Sequence, residues 1–231
     1  MVYSHHNFLT RNLSVFLSRR RLNPAHSNLF SLSRTMATGR AQKTLTAAIK
    51  EDHEEMYEYY DHYVKASGNT DAQARWSRQL TWEIARHAVG EEIVVYPLME
   101  KLLGEKGLKL ADEDRDDHQR VKEMLSDLEY MEPGSQDHQT QLKQIMDHLH
   151  EHNDNEETKD LPLLEPVLGV ENSKKTASTF RTTKKFVPTR AHPSAPNKPP
   201  YETFLGFLTM PIDKLKDMFS AFPTEEEKKQ E

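Results

Sequence analysis

Two copies of a histidine–glutamate motif occur 65 residues apart in this chain. The first copy begins at His87 and the second at His152, and both read H-x3-E-E-x4-P-L. Imidazole nitrogens and carboxylate oxygens are common ligands of divalent metal ions in proteins. A repeated unit whose repeated residues are metal ligands predicts a metal site to which both halves of the chain contribute.

A further histidine in each half follows the same offset and completes a set of six candidate ligands. Residues four apart on a helix lie one above the other, so the His and the first Glu of each motif can serve one centre. Each half then offers two histidines and one carboxylate with coordination positions left open, a set associated with non-haem iron(II). The six candidates are His53, His87, Glu91, His118, His152 and Glu156.

The chain of 231 residues contains no cysteine. A thiolate metal site is therefore excluded, and so is a disulfide. A site made of nitrogen and oxygen ligands suits iron, manganese or zinc better than copper(I) or an iron–sulfur cluster. The expected cofactor is a pair of non-haem iron ions, and manganese or zinc are the alternatives.

The net charge of −6 is unevenly distributed along the chain. Residues 1–50 carry eight Lys or Arg and no acidic residue, which leaves 23 basic and 37 acidic residues in the remainder. An acidic body is a poor partner for phosphate backbones, so we expect no nucleic-acid binding. No apolar run approaches the roughly 18 residues that a membrane-spanning helix needs, so no transmembrane segment is expected.

The elements that must position the six candidates are amphipathic helices. After about residue 44, apolar residues recur at three- and four-residue steps, as in Leu45, Ile49 and Met56, and His53 lies on the same face. The candidate ligands lie within these apolar stripes, so they should face the core. Four such helices with short connections predict an all-α, up-down-up-down four-helix bundle over residues 44–169, with flexible N-terminal and C-terminal extensions.

Residues 1–40 are rich in Arg and Ser and lack acidic residues, a composition typical of a mitochondrial transit peptide. The alternative is a disordered leader. The first interpretation predicts a mitochondrial protein. Translation from Met36 would remove most of this signal and would predict a cytoplasmic one.

The chain changes character again after about residue 171. Lysines and five prolines predict a Lys/Pro-rich linker over residues 171–200, which is extended from Val187 onward. Residues 201–231 predict a short amphipathic helix and a charged tail. The helix is expected to dock on the bundle through Phe204, Phe207 and Phe219, with binding to a membrane surface or a partner as the alternative.

The sequence resembles a known family over its central region. The region from about residue 44 to residue 169 is similar to a hemerythrin-like (HHE cation-binding) domain, and the layout resembles the fungal proteins of that class. The residues that carry the resemblance are His53, His87-x3-Glu91 with Pro97, His118, and His152-x3-Glu156 with Pro162. The resemblance implies a four-helix bundle with a di-iron centre that takes dioxygen or a related small ligand such as nitric oxide.

The sequence departs from the oxygen-carrying members at two positions. Those proteins have a second histidine one turn after the first in the third helix, where this chain has Lys122. They also have an Asp five residues after the fourth-helix histidine, where this chain has Glu157, and Glu156 is the better ligand match. A site richer in carboxylates and poorer in histidines should give bound iron different chemical properties from those in the oxygen-carrying members. Oxygen transport is therefore not the expected role.

Three functions remain open from the sequence. The first is a di-iron protein that binds or senses oxygen, nitric oxide or iron. The second is a di-iron oxidase or peroxidase that acts on small oxidants, and the third is a helical interaction module with a structural metal. Outside the ligand set, Glu83 and His148 are expected to orient ligands by hydrogen bonding. Glu92 and Glu157 are expected to face solvent or to orient ligands in the same way.

Overall fold

The structure, a computed structural model, describes residues 42–229 apart from the side chains of 201–208. These residues contain helices and no β-strand, so the prediction of an all-α protein is confirmed. The predicted leader, residues 1–40, lies outside the described residues. The α-helices are α1 (Leu45–Lys65), α2 (Thr70–Val94), α3 (Tyr96–Leu103), α4 (Glu105–Leu128), α5 (Gln136–Asn155), α6 (Leu161–Leu168), α7 (Val170–Thr183) and α8 (Tyr201–Met218).

Three of the long helices begin at a polar capping residue. The side chains of Thr44, Asn69 and Ser135 accept hydrogen bonds from backbone N–H groups in the first turns of α1, α2 and α5. Such caps satisfy N–H groups that have no partner within the helix, and each stabilises it by about 1 kcal/mol. The sequence thus sets where these helices start.

Four long helices form the body of the protein. Helix α1 packs against α2, α2 against α4, α4 against α5, and α5 against α1. Two apolar clusters lie along them: α1 passes from Ile49 in one cluster, through His53, to Met56 in the other. Helix α2 crosses the clusters in the opposite order, from Ile84 in the second cluster to Val94, which packs against the first. This alternation is consistent with the predicted up-down-up-down order, and it leaves a polar layer between the two apolar clusters.

Both H-x3-E-E motifs lie where a long helix is interrupted. Helix α2 ends at Val94, and Pro97 lies in the first turn of α3. Helix α5 runs into a π-helical turn, Glu156–Asp160, and Pro162 lies in the first turn of α6 that follows it. Proline suits a first helical turn because its missing N–H would lack a partner there. Single π-turns are rare and frequently occur at functional sites.

The prediction of a linker from residue 171 is wrong for its first part. Residues Val170–Thr183 form α7, which packs against α1, α2 and α6. Ser173, Ala177 and Phe180 recur at helical spacing on one face and are buried. The three side chains form a short stripe that the surrounding Lys, Ser and Thr residues obscure in the sequence.

The segment after α7 lies against the bundle, although residues 187–200 form no helix. Val187, Pro188 and Thr189 are buried, and Pro193 accepts a hydrogen bond from Gln119 on α4 through its carbonyl oxygen. The predicted flexible C-terminal extension is therefore packed over much of its described length.

Helix α8 forms where the sequence predicts an amphipathic helix, but it is not held as expected. Phe219 is 84 % exposed, so the prediction that it anchors the helix is wrong. The side chains of Phe204 and Phe207 lie outside the described part of the structure. Asp213 is instead buried, and it accepts hydrogen bonds from the Thr189 N–H (3.1 Å) and His192 Nε2 (2.9 Å). Among the described residues, no helix has the length and apolarity to span a membrane.

Candidate metal centre

The structure brings the six predicted ligands together in the polar layer. All of them are at most 3 % exposed, although His and Glu are seldom buried without partners. Their donor atoms form two groups that share one residue, Glu91. The first group consists of His53, His87, Glu91 and Glu156, and the second consists of Glu91, His118 and His152.

The first group joins α1, α2 and the π-turn. His53 Nε2 lies 3.2 Å from His87 Nε2, and His87 Nε2 lies 3.1 Å from Glu91 Oε2. Glu156 Oε2 is 3.5 Å from His53 Nε2. Two nitrogens about 3.2 Å apart can both bind one ion, since metal–nitrogen bonds are about 2.0–2.1 Å long.

The second group repeats this arrangement with α4 and α5. His118 Nε2 lies 3.2 Å from His152 Nε2. Glu91 Oε2 lies 3.5 Å from His118 Nε2, so the same carboxylate oxygen is close to an imidazole of each group. A carboxylate between two pairs of imidazoles can bridge two ions.

Each of the four imidazoles has a carboxylate on the side away from the centre. His53 Nδ1 lies 2.8 Å from Glu157 Oε1, and His118 Nδ1 lies 3.2 Å from Glu92 Oε1. Because an ionised carboxylate only accepts hydrogen bonds, these contacts place the proton on Nδ1 and leave Nε2 free to face the centre.

The other two imidazoles are held by aspartates. His87 Nδ1 lies 3.1 Å from Asp52 Oδ2, whereas His152 Nδ1 lies 3.7 Å from Asp117 Oδ2. The 65-residue offset relates Asp52 to Asp117, just as it relates the ligands themselves. The outer carboxylates therefore belong to the repeat, but one of the two aspartate contacts is longer than a hydrogen bond.

Cationic side chains in turn pair with three of these outer carboxylates. Lys50 Nζ lies 2.6 Å from Glu157, and Lys122 Nζ lies 2.6 Å from both oxygens of Glu92. Lys184 Nζ, from the end of α7, donates to Asp52 Oδ2. Ion pairing of this kind keeps a buried carboxylate ionised and fixed in one orientation.

The pKa values of the two imidazoles in each pair shift in opposite directions, which shows how protons are distributed in the cluster without a metal. Burial disfavours the charged imidazole of His87, yet Glu91 and Asp52 outweigh it and raise its pKa to about 9. Burial lowers the pKa of its neighbour His53. In the second pair, burial lowers the pKa of His118 to about 4, while Asp117 and Asp114 overcome burial and raise the pKa of His152. One proton can thus bind each pair of facing Nε2 atoms.

The pKa values of the two buried glutamates, Glu91 and Glu156, shift in opposite directions. Burial alone would raise the pKa of Glu91, but His87, His118 and His53 hold it far below its ordinary value. Burial and the charge on Glu91 raise the pKa of Glu156 well above its ordinary value. Without a metal, Glu156 therefore carries a proton because the site contains more carboxylates than cations to balance them.

These residues fit a pair of metal ions. The carboxylate oxygens of Glu91 and Glu156 are buried and make no well-aligned hydrogen bond. A buried polar atom without a partner costs about 1–3 kcal/mol, and more if it is charged. Cations at this point would satisfy the four oxygens and replace the protons shared by the imidazole pairs.

The two halves differ at several positions around the second group. Lys122, at the position where oxygen-carrying hemerythrins have a histidine, pairs with Glu92 beside His118. Tyr96 is fully buried, and its hydroxyl oxygen lies 3.1 Å from His118 Nε2. Burial raises the pKa of Asp114 to about 7. The offset maps Tyr96 onto Leu161, so the repeat gives no indication of a phenol here.

The structure gives a mixed result for the residues expected to orient ligands. Glu92 and Glu157 do contact imidazoles of the candidate ligands, His118 and His53. His148 contacts Asp117, at 3.4 Å, and not a candidate ligand itself. Glu83 contacts Lys184 and Arg86 rather than an imidazole. Sequence reasoning missed the roles of Asp52 and Asp117, although their shared offset was a signal that could have indicated them.

Comparisons with known proteins agree with this geometry. Residues 44–164 match the family profile described as "Hemerythrin HHE cation binding domain". The chain is 48 % identical over 179 residues to an uncharacterized hemerythrin-like protein of Schizosaccharomyces pombe, a match that covers 78 % of this chain and 88 % of that protein. No solved structure matches the chain at a significant level.

Proposed function

The chain belongs to the hemerythrin HHE cation-binding family, and we propose that it is a non-haem di-iron protein that binds or senses dioxygen, nitric oxide or iron itself. The family match supports cation binding. The choice of iron, the two-ion stoichiometry and the small ligand are the proposed parts. The six residues proposed to hold the ions are His53, His87, Glu91, His118, His152 and Glu156.

The position of Glu91 is the observation that carries the proposal. Its carboxylate belongs to both groups of donors, and it makes no well-aligned hydrogen bond although it is fully buried. A single ion would need only one of the two groups of donor atoms. A shared carboxylate between two pairs of imidazoles is the arrangement expected for two ions held close together.

The chain's own residues define what the site does. Nδ1–carboxylate hydrogen bonds orient three of the four imidazoles before any ion arrives, and Asp117 lies 3.7 Å from Nδ1 of the fourth. This order reduces the cost of ordering the site on binding. The apolar clusters on both sides exclude bulk water. With two histidines and one carboxylate per ion, bound iron would keep open positions and supply reversible binding of a diatomic ligand.

Metal analysis of purified protein tests the proposal. Protein from iron-replete cells is expected to contain about two irons per chain and to show oxo-bridge absorption in the ultraviolet–visible spectrum. His87→Ala should lower the iron content, because it removes one donor and the partner of Asp52. His150→Ala is the matched control, since His150 is exposed on the same helix as His152 and is outside both groups of donors.

The result also separates the three functional hypotheses. No metal, or a single zinc, would contradict the di-iron proposal and leave the helical interaction module with a structural metal. Spectra that show reversible binding of dioxygen or nitric oxide, without consumption of the ligand, would support binding or sensing.

An oxidase or peroxidase is the second candidate, and Tyr96 favours it. A fully buried phenol 3.1 Å from His118 Nε2 places an oxidisable side chain beside the second group of donors. Steady consumption of hydrogen peroxide by the iron-loaded protein, reduced in Tyr96→Phe, would support this function. Turnover that is unchanged in the variant would remove the argument from Tyr96.

We also propose that the protein is imported into mitochondria, on the composition of residues 1–40 alone. A fluorescent fusion of the whole chain should colocalise with mitochondria. A fusion that begins at Met36 should remain in the cytoplasm. Equal distribution of the two fusions would overturn the proposal.

A further inference from the structure

Helix α7 reaches the metal centre from outside the part of the chain that matches the family profile, residues 44–164. The residue that caps its C-terminal end, Lys184, is 5 % exposed. Its ammonium group donates to Asp52 Oδ2 on α1 and to Glu83 Oε1 on α2. The same Asp52 oxygen lies 3.1 Å from His87 Nδ1, so one atom joins the lysine to a candidate ligand.

Acidic and basic side chains surround Lys184 in one cluster. Asp52 and Glu83 are both buried, and Arg86 Nη1 lies 3.6 Å from Glu83 as a second cation. Arg86 Nε also donates to the Lys184 backbone carbonyl (2.9 Å), which fixes the end of α7. Glu55 adds a third carboxylate to the cluster, and burial, together with the charges on Glu83 and Asp52, raises its pKa to about 7. Loss of either cation would therefore leave buried negative charge unpaired.

A second side chain of α7 holds the same imidazole from another side. The Phe180 ring is fully buried and meets the His87 ring edge-on, with centroids 5.7 Å apart and an interplanar angle of 86°. Gly90 on α2 makes room for this contact. A β-carbon at Gly90 would lie 2.9 Å from Phe180 Cε2 and 3.2 Å from Lys184 Cγ.

The other half of the repeat lacks this support. The offset maps Gly90 onto Asn155 and Asp52 onto Asp117. The Asp117 side chain is 29 % exposed and lies 3.7 Å from His152 Nδ1, beyond hydrogen-bond distance. Its neighbours there are the partly exposed His148 and the exposed Arg120, rather than a buried lysine. The two metal positions therefore differ in how firmly their imidazoles are held.

We propose that Lys184 is a positioning residue for the metal position at His53 and His87. It fixes Asp52, which in turn keeps the proton of His87 on Nδ1 and directs Nε2 to the ion. This inference rests on the proposed di-metal function and refines it, because it makes a helix outside the matched domain part of the site. Outer partners of this kind typically change metal affinity by about 10- to 100-fold.

Anaerobic titration of the metal-free full-length chain with Fe(II) tests the proposal. Lys184→Met keeps the length of the side chain and removes its charge. We expect one of the two Fe(II) equivalents to bind about 10- to 100-fold more weakly while the other is unchanged. Lys185→Met is the matched control, because Lys185 is the exposed neighbour of Lys184 and its side chain makes no contact with the cluster. It should bind both equivalents as the unchanged chain does.

A second readout does not depend on metal. Nitrogen chemical shifts of the His87 imidazole, measured in the metal-free protein at a pH above its pKa of about 9, where the ring is neutral, report which ring nitrogen carries the proton. The unchanged chain should show the proton on Nδ1, and Lys184→Met should show a mixture of the two forms. If the unchanged chain binds no pair of ions, the proposed function fails, and this readout still decides whether Lys184 orients His87.

A merely structural role would give a different pattern. In that case Lys184→Met would lower the melting temperature, weaken both equivalents equally or neither, and leave the His87 shifts unchanged, which would overturn the proposal. If Lys184→Met does not fold, Glu83→Gln combined with Lys184→Met removes one carboxylate together with the ammonium, so less buried charge is left unpaired. The same titration and shifts are then measured on that double variant.

Discussion

At the scale of single residues, the centre depends on the balance between acidic and basic groups. The burial of Glu91 and Glu156 places two carboxylates where protons or metal ions must neutralise them. The raised pKa values of His87 and Glu156 show which groups carry protons in the absence of metal. Metal ions and protons therefore compete for the same donor atoms.

This competition predicts a pH dependence of metal affinity. Groups with raised pKa values hold protons below those values and lose them as the pH rises, and the pKa of His87 is raised to about 9. We expect metal affinity to increase from pH 6 to about pH 9, by about tenfold per pH unit for each proton displaced. Competition of Zn²⁺ between the protein and a chelator of known pH dependence measures this.

Glu156→Gln provides the control for the pH series. Because the amide cannot bind the proton that Glu156 releases, the slope should fall by up to one proton, even where the affinity itself is lower. An affinity that is flat between pH 6 and pH 9 in the unchanged protein would contradict the proposed competition.

At the scale of the elements, the packing of α7 on α2 requires Gly90. The helical position would accept alanine by propensity, with a gain of about 1 kcal/mol. The nearest atom to an added β-carbon is Phe180 Cε2, at 2.9 Å, followed by Lys184 Cγ at 3.2 Å and Phe180 Cδ2 at 3.3 Å, and the Phe180 ring is fully buried. The close approach of the two helices is therefore the physical reason for glycine at this position.

Gly90→Ala is expected to destabilise the protein by about 1–2 kcal/mol, since overpacking outweighs the helix propensity. Denaturant unfolding of the metal-free protein measures the change. In a Phe180→Leu background the same substitution should cost less, because the smaller side chain relieves the overlap. Additive costs in the double variant would show that Phe180 does not cause the loss.

The π-turn is the other element that the site depends on. Glu156 lies at its first position, and the wider turn separates α5 from the proline in the first turn of α6. Helix α2 reaches the equivalent proline through a break at Val95 instead. The two halves of the repeat thus place equivalent glutamates in the core with different local backbones.

At the scale of the whole molecule, segments that follow the bundle cover and support it. Ser173 Oγ accepts a hydrogen bond from Leu45 N (2.7 Å) at the start of α1, which ties α7 to the first residue of that helix. Residues 187–200 lie against the bundle, and Asp213 on α8 holds this segment through Thr189 and His192. Helix α7 and residues 187–200 are thus part of the packed structure.

Asp213→Ala is expected to release this segment. It removes a buried acceptor and leaves the Thr189 N–H without its partner, so residues 187–200 should be cleaved faster in limited proteolysis while metal content is unchanged. Lys216→Ala, at an exposed position of the same helix, is the matched control and should be cleaved at the original rate. Equal rates for Asp213→Ala and the unchanged chain would show that other contacts hold the segment.

The sequence alone determined the helical class, the family and the six candidate ligands. Helical periodicity reports which side chains face a core, and a 65-residue repeat reports which residues share a role, so both can be read from residue types and spacing. Placing His87 and Glu91 on one apolar stripe needs no knowledge of what packs against it. That these residues are ligands stays a prediction until metal is measured.

Only the tertiary structure decided what lies around the ligands. Lys184 is 132 residues away from Asp52 in the chain, and no local pattern links an ammonium to a carboxylate at that distance. Tyr96 lacks an equivalent in the repeat, and the stripe of α7 is too short to stand out among polar residues. Contacts between distant segments depend on how whole helices pack, and periodicity within a single helix carries no information about that packing.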